Sequence, residues 1–131
     1  MIIGIGNDII SIARIAKLLQ SKKDQFIQKI FTDKEAALLN QIISEDKIIG
    51  YVANRFAAKE ALAKALGTGF GKYFSFKDVS VLKTPQGKPY FEYNQKLKNY
   101  IQEIHKSDFQ IYLTMSNEKE YAQAFVVIET I

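Results

Sequence analysis

The segment Arg55-Phe-Ala-Ala-Lys-Glu-Ala-Leu-Ala-Lys-Ala-Leu-Gly-Thr-Gly-Phe-Gly71 gathers residue types that handle phosphates and divalent cations. Glu60 and Lys64 stand four apart, as do Arg55 and Lys59, so on a helix each pair shares a face. A carboxylate can hold a hard cation, and cations beside a glycine turn can cradle a phosphate. The inventory suits a metal ion and a phosphorylated ligand. It would equally make a surface ion pair at a helix end, worth about 0.3–0.5 kcal/mol. A second carboxylate, Asp8, follows Gly4-Ile-Gly6 after a short β-branched run. Asp8 and Glu60 together could bind magnesium, which takes one or two carboxylates and completes six oxygens with water and substrate phosphates. Asp8 would also serve as the cap of a helix starting at Ile9. Gly4-Ile-Gly6 is not a dinucleotide fingerprint, because position 9 is Ile and no βαβ unit follows. Gly87 and Lys88, inside Thr84-Pro-Gln-Gly-Lys-Pro89, would suit a phosphate or base contact, or a plain hairpin turn.

The elements that must position these residues follow from local pattern. Residues 2–5 read as a strand ended by Gly6. Apolar positions at Ile9, Ile12, Ile15, Ala16 and Leu19 predict a helix over 9–20, with Arg14 and Lys17 on its polar side. A short helix is expected at 24–31. Thr32-Asp-Lys-Glu35 resembles a capping box opening a third helix to about Ile43. Ser44 or Asp46 can cap the long helix, which should stop near Leu66 with Gly67 in the left-handed cap. Phe70, Tyr73, Phe74 and Phe76 cluster after it and are expected in a core or an interface. Residues 79–83 and 90–93 should form a hairpin about the Thr84–Pro89 turn, and Leu97, Ile101 and Ile104 mark a helix. Residues 111–116 and 121–128 alternate as strands. The order favours an α+β fold, a largely antiparallel sheet packed against the long central helix, in one domain spanning 1–131.

Composition excludes several chemistries. The chain has 131 residues, no cysteine and one histidine, so disulfides, thiolate sites and multi-histidine metal sites within one chain are ruled out. The N-terminus lacks a signal-peptide pattern and no run is long enough to span a membrane, so the cytoplasm is expected. The net charge is +4. Between Arg14 and Lys34 stand Arg14, Lys17, Lys22, Lys23, Lys29 and Lys34 against Asp24 and Asp33 only. An acidic partner is implied, either nucleic acid or an acidic protein. A small basic RNA-binding domain is the competing interpretation, although no RNP aromatic motif or basic Gly-x-x-Gly loop is present.

Gly4-Ile-Gly-Asn-Asp8, the Arg55–Gly69 helix motif, Gly87-Lys-Pro89 and the strand-turn-strand from Thr114 to Ala122 occur in order along nearly the whole chain. Together they resemble the small bacterial holo-acyl-carrier-protein synthases, the phosphopantetheinyl transferases of fatty-acid synthesis. The resemblance implies a 4'-phosphopantetheinyl transferase-like fold and transfer of phosphopantetheine from coenzyme A to a serine of apo-acyl carrier protein. Adenosine 3',5'-bisphosphate would be released. It implies Mg2+ on Asp8 and Glu60, with Glu60 also able to take the serine proton and Lys64 offsetting phosphate charge. Arg55, Lys59, Lys64, Gly67, Gly69, Gly87, Lys88 and Pro89 would line the coenzyme A side. Arg14 and Lys17 would meet the acidic carrier protein. A homotrimer with sites between subunits is implied, with no nucleic acid or membrane partner. Two departures stand out: Asn7 replaces the usual threonine, and Asn117 stands where many members carry histidine.

Overall fold

A computed structural model describes residues 1–131. Strand β1 (Ile2–Ser11) leads into helix α1 (Ile12–Ile30), then α2 (Asp33–Asn40) and the long α3 (Glu45–Leu66). A 3-10 turn (Phe76–Asp78) precedes β2 (Val79–Lys83) and β3 (Pro89–Tyr93). Helix α4 (Gln95–His105), β4 (Phe109–Asn117) and β5 (Tyr121–Thr130) complete the chain. The strands form two antiparallel sheets, one ordered β1-β5-β4 and the other the β2-β3 hairpin. The α+β expectation holds, with two sheets in place of one.

Local signals set several boundaries as expected. The Thr32 hydroxyl accepts from the Glu35 N–H while the Glu35 carboxylate accepts from the Thr32 N–H, completing the capping box. That helix stops at Asn40, short of Ile43. Ser44 caps α3, and Gly67 ends it with φ of 81°. The two helices expected at 9–20 and 24–31 are one element kinked at Lys22, where φ and ψ are −141° and 36°.

The first strand is the main departure. Gly6 does not end it; β1 runs on to Ser11, and Ser11, not Asp8, caps the following helix. The glycines serve a tertiary contact. A Cβ on Gly4 would sit 2.1 Å from the Ala65 carbonyl oxygen, and one on Gly6 would sit 1.8 Å from that of Ala61. Main chain therefore meets main chain where β1 crosses α3, which only glycine permits. Ala122, Ala124, Val126 and Ile128 of β5 cover the same helix from the sheet's inner face. In consequence α3 is buried nearly all round, Val52, Ala53, Ala57, Ala58, Ala61 and Leu62 among its buried residues.

The outer face of this sheet differs. Ile5 is 62% exposed, Ile9 61% and Phe125 41%. Strand alternation puts them opposite the buried set, with the Asn7–Gln123 hydrogen bond between them at 3.1 Å. The aromatic run, by contrast, is satisfied within the chain. Phe74 is buried, Phe70 stacks on Phe76 at 3.9 Å, and Tyr73 stacks on Tyr100 at 5.1 Å. Of the two expectations for these aromatics, the packing supplies the core one, with Tyr73 left 42% exposed.

Candidate functional site

Asp8 sits on β1 and Glu60 and Lys64 on α3, so the glycine-mediated crossing brings them together. Alternation within β1 turns Asp8 to the same side as Gly4 and Gly6, toward the helix. Lys64 Nζ donates to Asp8 Oδ1 at 3.0 Å and to the Asn7 carbonyl oxygen at 3.0 Å. Glu60 lies one turn earlier on the same face. Burial raises its proton affinity above the ordinary carboxylate range, the Asp8 charge adds to this, and Lys64 opposes it. Two carboxylates and an ammonium thus share one partly shielded spot on rigid elements. No cluster of three or more His, Cys, Asp and Glu side chains exists. A pair of carboxylates with solvent and substrate oxygens is nonetheless a donor set that fits magnesium. Gly67 and Gly69, both exposed with positive φ of 81° and 71°, follow directly after Lys64's turn.

Arg55 occupies a different cleft. Its guanidinium carbon lies 3.8 Å from the Tyr51 ring centroid, and its Nε is buried with no partner. Burial lowers its proton affinity and that of Tyr51's conjugate base shifts oppositely, raising the phenol's pKa. Asp46, Lys47, Gly50, Tyr51, Asn54, Lys83 and Asn117 complete the cleft's polar wall. Asn54 Oδ1 is likewise buried and unpartnered. Buried polar atoms without protein partners are uncommon, and water or a ligand entering the cleft would satisfy them. The cleft does not include Asp8, Glu60 or Lys64. The Arg55 cleft and the Asp8–Glu60–Lys64 group are therefore separate places on one chain.

The turn expected at 84–89 is a hairpin tip. The Gly87 N–H donates to the Thr84 carbonyl at 2.8 Å with φ of 92°, and Lys88 is exposed. Pro89 pairs with Lys83, which ties the tip to the Arg55 cleft. Lys47, Tyr51 and Lys83 were not singled out from sequence. The strand pairing of Lys83 with Pro89 was the available signal.

Lys59 is the clear correction. Its side chain is 0% exposed, as is that of Glu35. Nζ donates to Glu35 Oε1 at 2.6 Å, to the Ile30 carbonyl at 2.7 Å and to the Phe76 carbonyl at 2.9 Å. All three ammonium protons are engaged. Desolvation lowers its pKa, and Glu35 opposes the shift. Glu35 also accepts from the Val81 N–H at 2.9 Å. The Lys59–Glu35 pair ties the end of α1, the first turn of α2, the 3-10 turn and β2 together from inside the core, so Lys59 cannot line a ligand surface. Arg14 and Lys17 are exposed on α1, as expected. No helix is long and apolar enough to cross a membrane.

Residues 4–126 match the 4'-phosphopantetheinyl transferase superfamily. The holo-[acyl-carrier-protein] synthase of Ruthia magnifica subsp. Calyptogena magnifica is 42% identical over 130 residues, covering 99% of this chain and 98% of the relative. The crystal structure of the Neisseria meningitidis holo-[acyl-carrier-protein] synthase superposes with a TM-score of 0.88 at 38% identity, covering 99% of this chain and 100% of that one. The Bacillus anthracis synthase, solved in complex with CoA (3',5'-ADP), gives 0.82 at 37% identity, with coverage of 100% and 99%. These matches favour a synthase over an RNA-binding domain.

Proposed function

The chain belongs to the 4'-phosphopantetheinyl transferase superfamily, and from that premise we propose that it transfers 4'-phosphopantetheine from coenzyme A to a serine of apo-acyl carrier protein. The observation that carries this is the Asp8–Glu60–Lys64 group, two carboxylates and an ammonium held at a main-chain crossing. Phosphoryl transfer depends on positioning and charge neutralisation more than on covalent help. Asp8 and Glu60 would hold a magnesium ion, which when bound neutralises the pyrophosphate of coenzyme A. The serine oxygen attacks the β-phosphorus, and the bond to the oxygen bridging the two phosphates breaks. Adenosine 3',5'-bisphosphate leaves with that oxygen. Glu60 accepts the serine proton, directly or through water. Lys64 balances charge on the phosphates.

The Arg55 cleft supplies the remaining anchor. Arg55, Lys47 and Lys83 bring three cations to one cleft with unpartnered polar atoms, a chemistry suited to phosphate groups of coenzyme A. Gly87, Lys88 and Pro89 extend it, while Gly67 and Gly69 flank the Lys64 side. Two subunits setting these two places side by side would complete one site. The exposed apolar face around Ile5, Ile9 and Phe125 suits such a contact better than the aromatic run does. A homotrimer with sites between subunits is the assembly that this proposal adopts. The basic α1 face with Arg14 and Lys17 receives the acidic carrier protein. The enzyme would work in the cytoplasm.

The test is direct. Protein, coenzyme A, magnesium and an apo-carrier protein are incubated, and the carrier is weighed by mass spectrometry. A gain of one phosphopantetheine is expected. Asp8→Ala and Glu60→Ala should lower the rate about 10²-fold or more while remaining folded. Normal turnover by either folded variant would refute the site.

A further inference from the structure

Lys64 points its ammonium at Asp8 on the neighbouring strand. Lys64 Nζ makes both its hydrogen bonds, at 3.0 Å each, to Asp8 Oδ1 and the adjoining Asn7 carbonyl. The Asp8 side chain is 17% exposed and that of Lys64 55%. The carboxylate is held in place by its strand, whereas the ammonium ends a flexible stem reached by solvent. Asp8 and Glu60 are like charges at one spot, and without a counter-cation they repel. Lys64 supplies that cation.

We propose that Lys64 is a built-in placeholder, occupying the cation position beside Asp8 until a divalent metal displaces it toward a phosphate of the incoming coenzyme A. The inference rests on the metal site of the proposed function. A divalent ion on Asp8 would stand a few ångströms from the ammonium, and two cations at that range repel strongly in a partly shielded site. The metal therefore competes with Lys64 for Asp8. A phosphate that receives the released ammonium removes the penalty, so metal and coenzyme A strengthen each other's binding through this one side chain. Metal alone binds weakly, which keeps the site from capturing free ions without substrate.

Mn2+ alone, titrated and followed by electron paramagnetic resonance, tests this on wild type, Lys64→Met and Asp8→Asn. Methionine keeps an unbranched stem, so the core is undisturbed. Lys64→Met should bind Mn2+ about tenfold or more tightly than wild type. Added coenzyme A should tighten Mn2+ binding more in wild type than in Lys64→Met. The Lys64 ammonium resonance in the ¹⁵N NMR spectrum should move when Mg2+ is added alone. Equal Mn2+ affinity of wild type and Lys64→Met, or an unmoved resonance, overturns the placeholder while Asp8-dependent binding leaves the metal site standing. Mn2+ binding that is absent, or indifferent to Asp8→Asn, overturns both.

Discussion

Lys59→Met separates a structural lysine from a ligand-binding one. The substitution removes three hydrogen bonds to Glu35, Ile30 and Phe76. It also leaves the fully buried Glu35 carboxylate without its counter-charge. Removing one partner of a buried ion pair costs about 3–5 kcal/mol, because the other charge stays desolvated and uncompensated. A domain of this size has a total stability of about 5–15 kcal/mol, so from about a fifth of it to nearly all would be lost. Glu35 keeps its bonds from the Thr32 and Val81 N–H groups, which limits the loss to this range. Urea unfolding at one fixed protein concentration measures it, since any assembly makes stability concentration-dependent. Adding Glu35→Gln should recover part of the loss, because glutamine keeps the capping box and removes the orphan charge. The KM for coenzyme A should stay near wild type in whatever fraction is folded. A Lys59→Met protein within about 1 kcal/mol of wild-type stability, with KM for coenzyme A sharply raised, would refute the argument.

Four further outcomes are expected. Gly6→Ala should destabilise by about 1–3 kcal/mol or more, since its Cβ would lie 1.8 Å from the Ala61 carbonyl oxygen. Gly50→Ala, whose Cβ would meet nothing closer than 3.6 Å, should stabilise α3 by about 0.5–1 kcal/mol in the same urea assay. At Asp78, burial pushes the pKa up, but bonds from the Ser75 N–H and the Asn94 amide, with the Lys96 charge, outweigh it and the net shift is downward. A depressed carboxylate stabilises above its unfolded pKa and loses that as pH falls through the folded one. Asp78→Asn should therefore lose stability at pH 7 and differ least from wild type once the pH has fallen through the lowered folded-state pKa, read from melting curves across pH. Arg14→Glu should raise the KM for carrier protein over about tenfold at low salt, equivalent to ~2 kcal/mol, with coenzyme A kinetics unchanged. A carrier KM that ignores both the substitution and salt would move the docking surface elsewhere.

Much of the fold was legible because its signals are local. The Thr32–Glu35 box, the Ser44 cap and the Gly67 stop each act within one turn of chain. The length of β1 was not legible, because Gly4 and Gly6 look like terminators until α3 is known to lie against them. Asp8 was found for its charge, but its support is the strand itself and not a helix start. Lys59 and Glu60 are neighbours in sequence, and only the packing of α3 shows which faces inward. A helix apolar all round carries no stripe to orient its polar residues. Arg55 was legible as a cation, and helix geometry already sets it on the opposite side from Lys64, but the cleft it enters depends on Lys83 and Asn117 from distant strands. Asn117 was noted only as a departure, and it lines the Arg55 cleft.

The glycine crossing works as a gauge block. Where β1 meets α3, peptide groups touch peptide groups, so no side-chain volume sets the gap between Asp8 and Glu60. Substitutions that reshape the interior around Leu62, Ile101 or Val126 would change how firmly the chain folds and leave that gap as it was. Stability and chemistry can then drift independently over time. The same arrangement allows no small adjustment: a single methyl group at position 4 or 6 shifts the whole carboxylate pair or unseats it. The proposed carboxylate pair thus depends on two residues that have no side chain of their own.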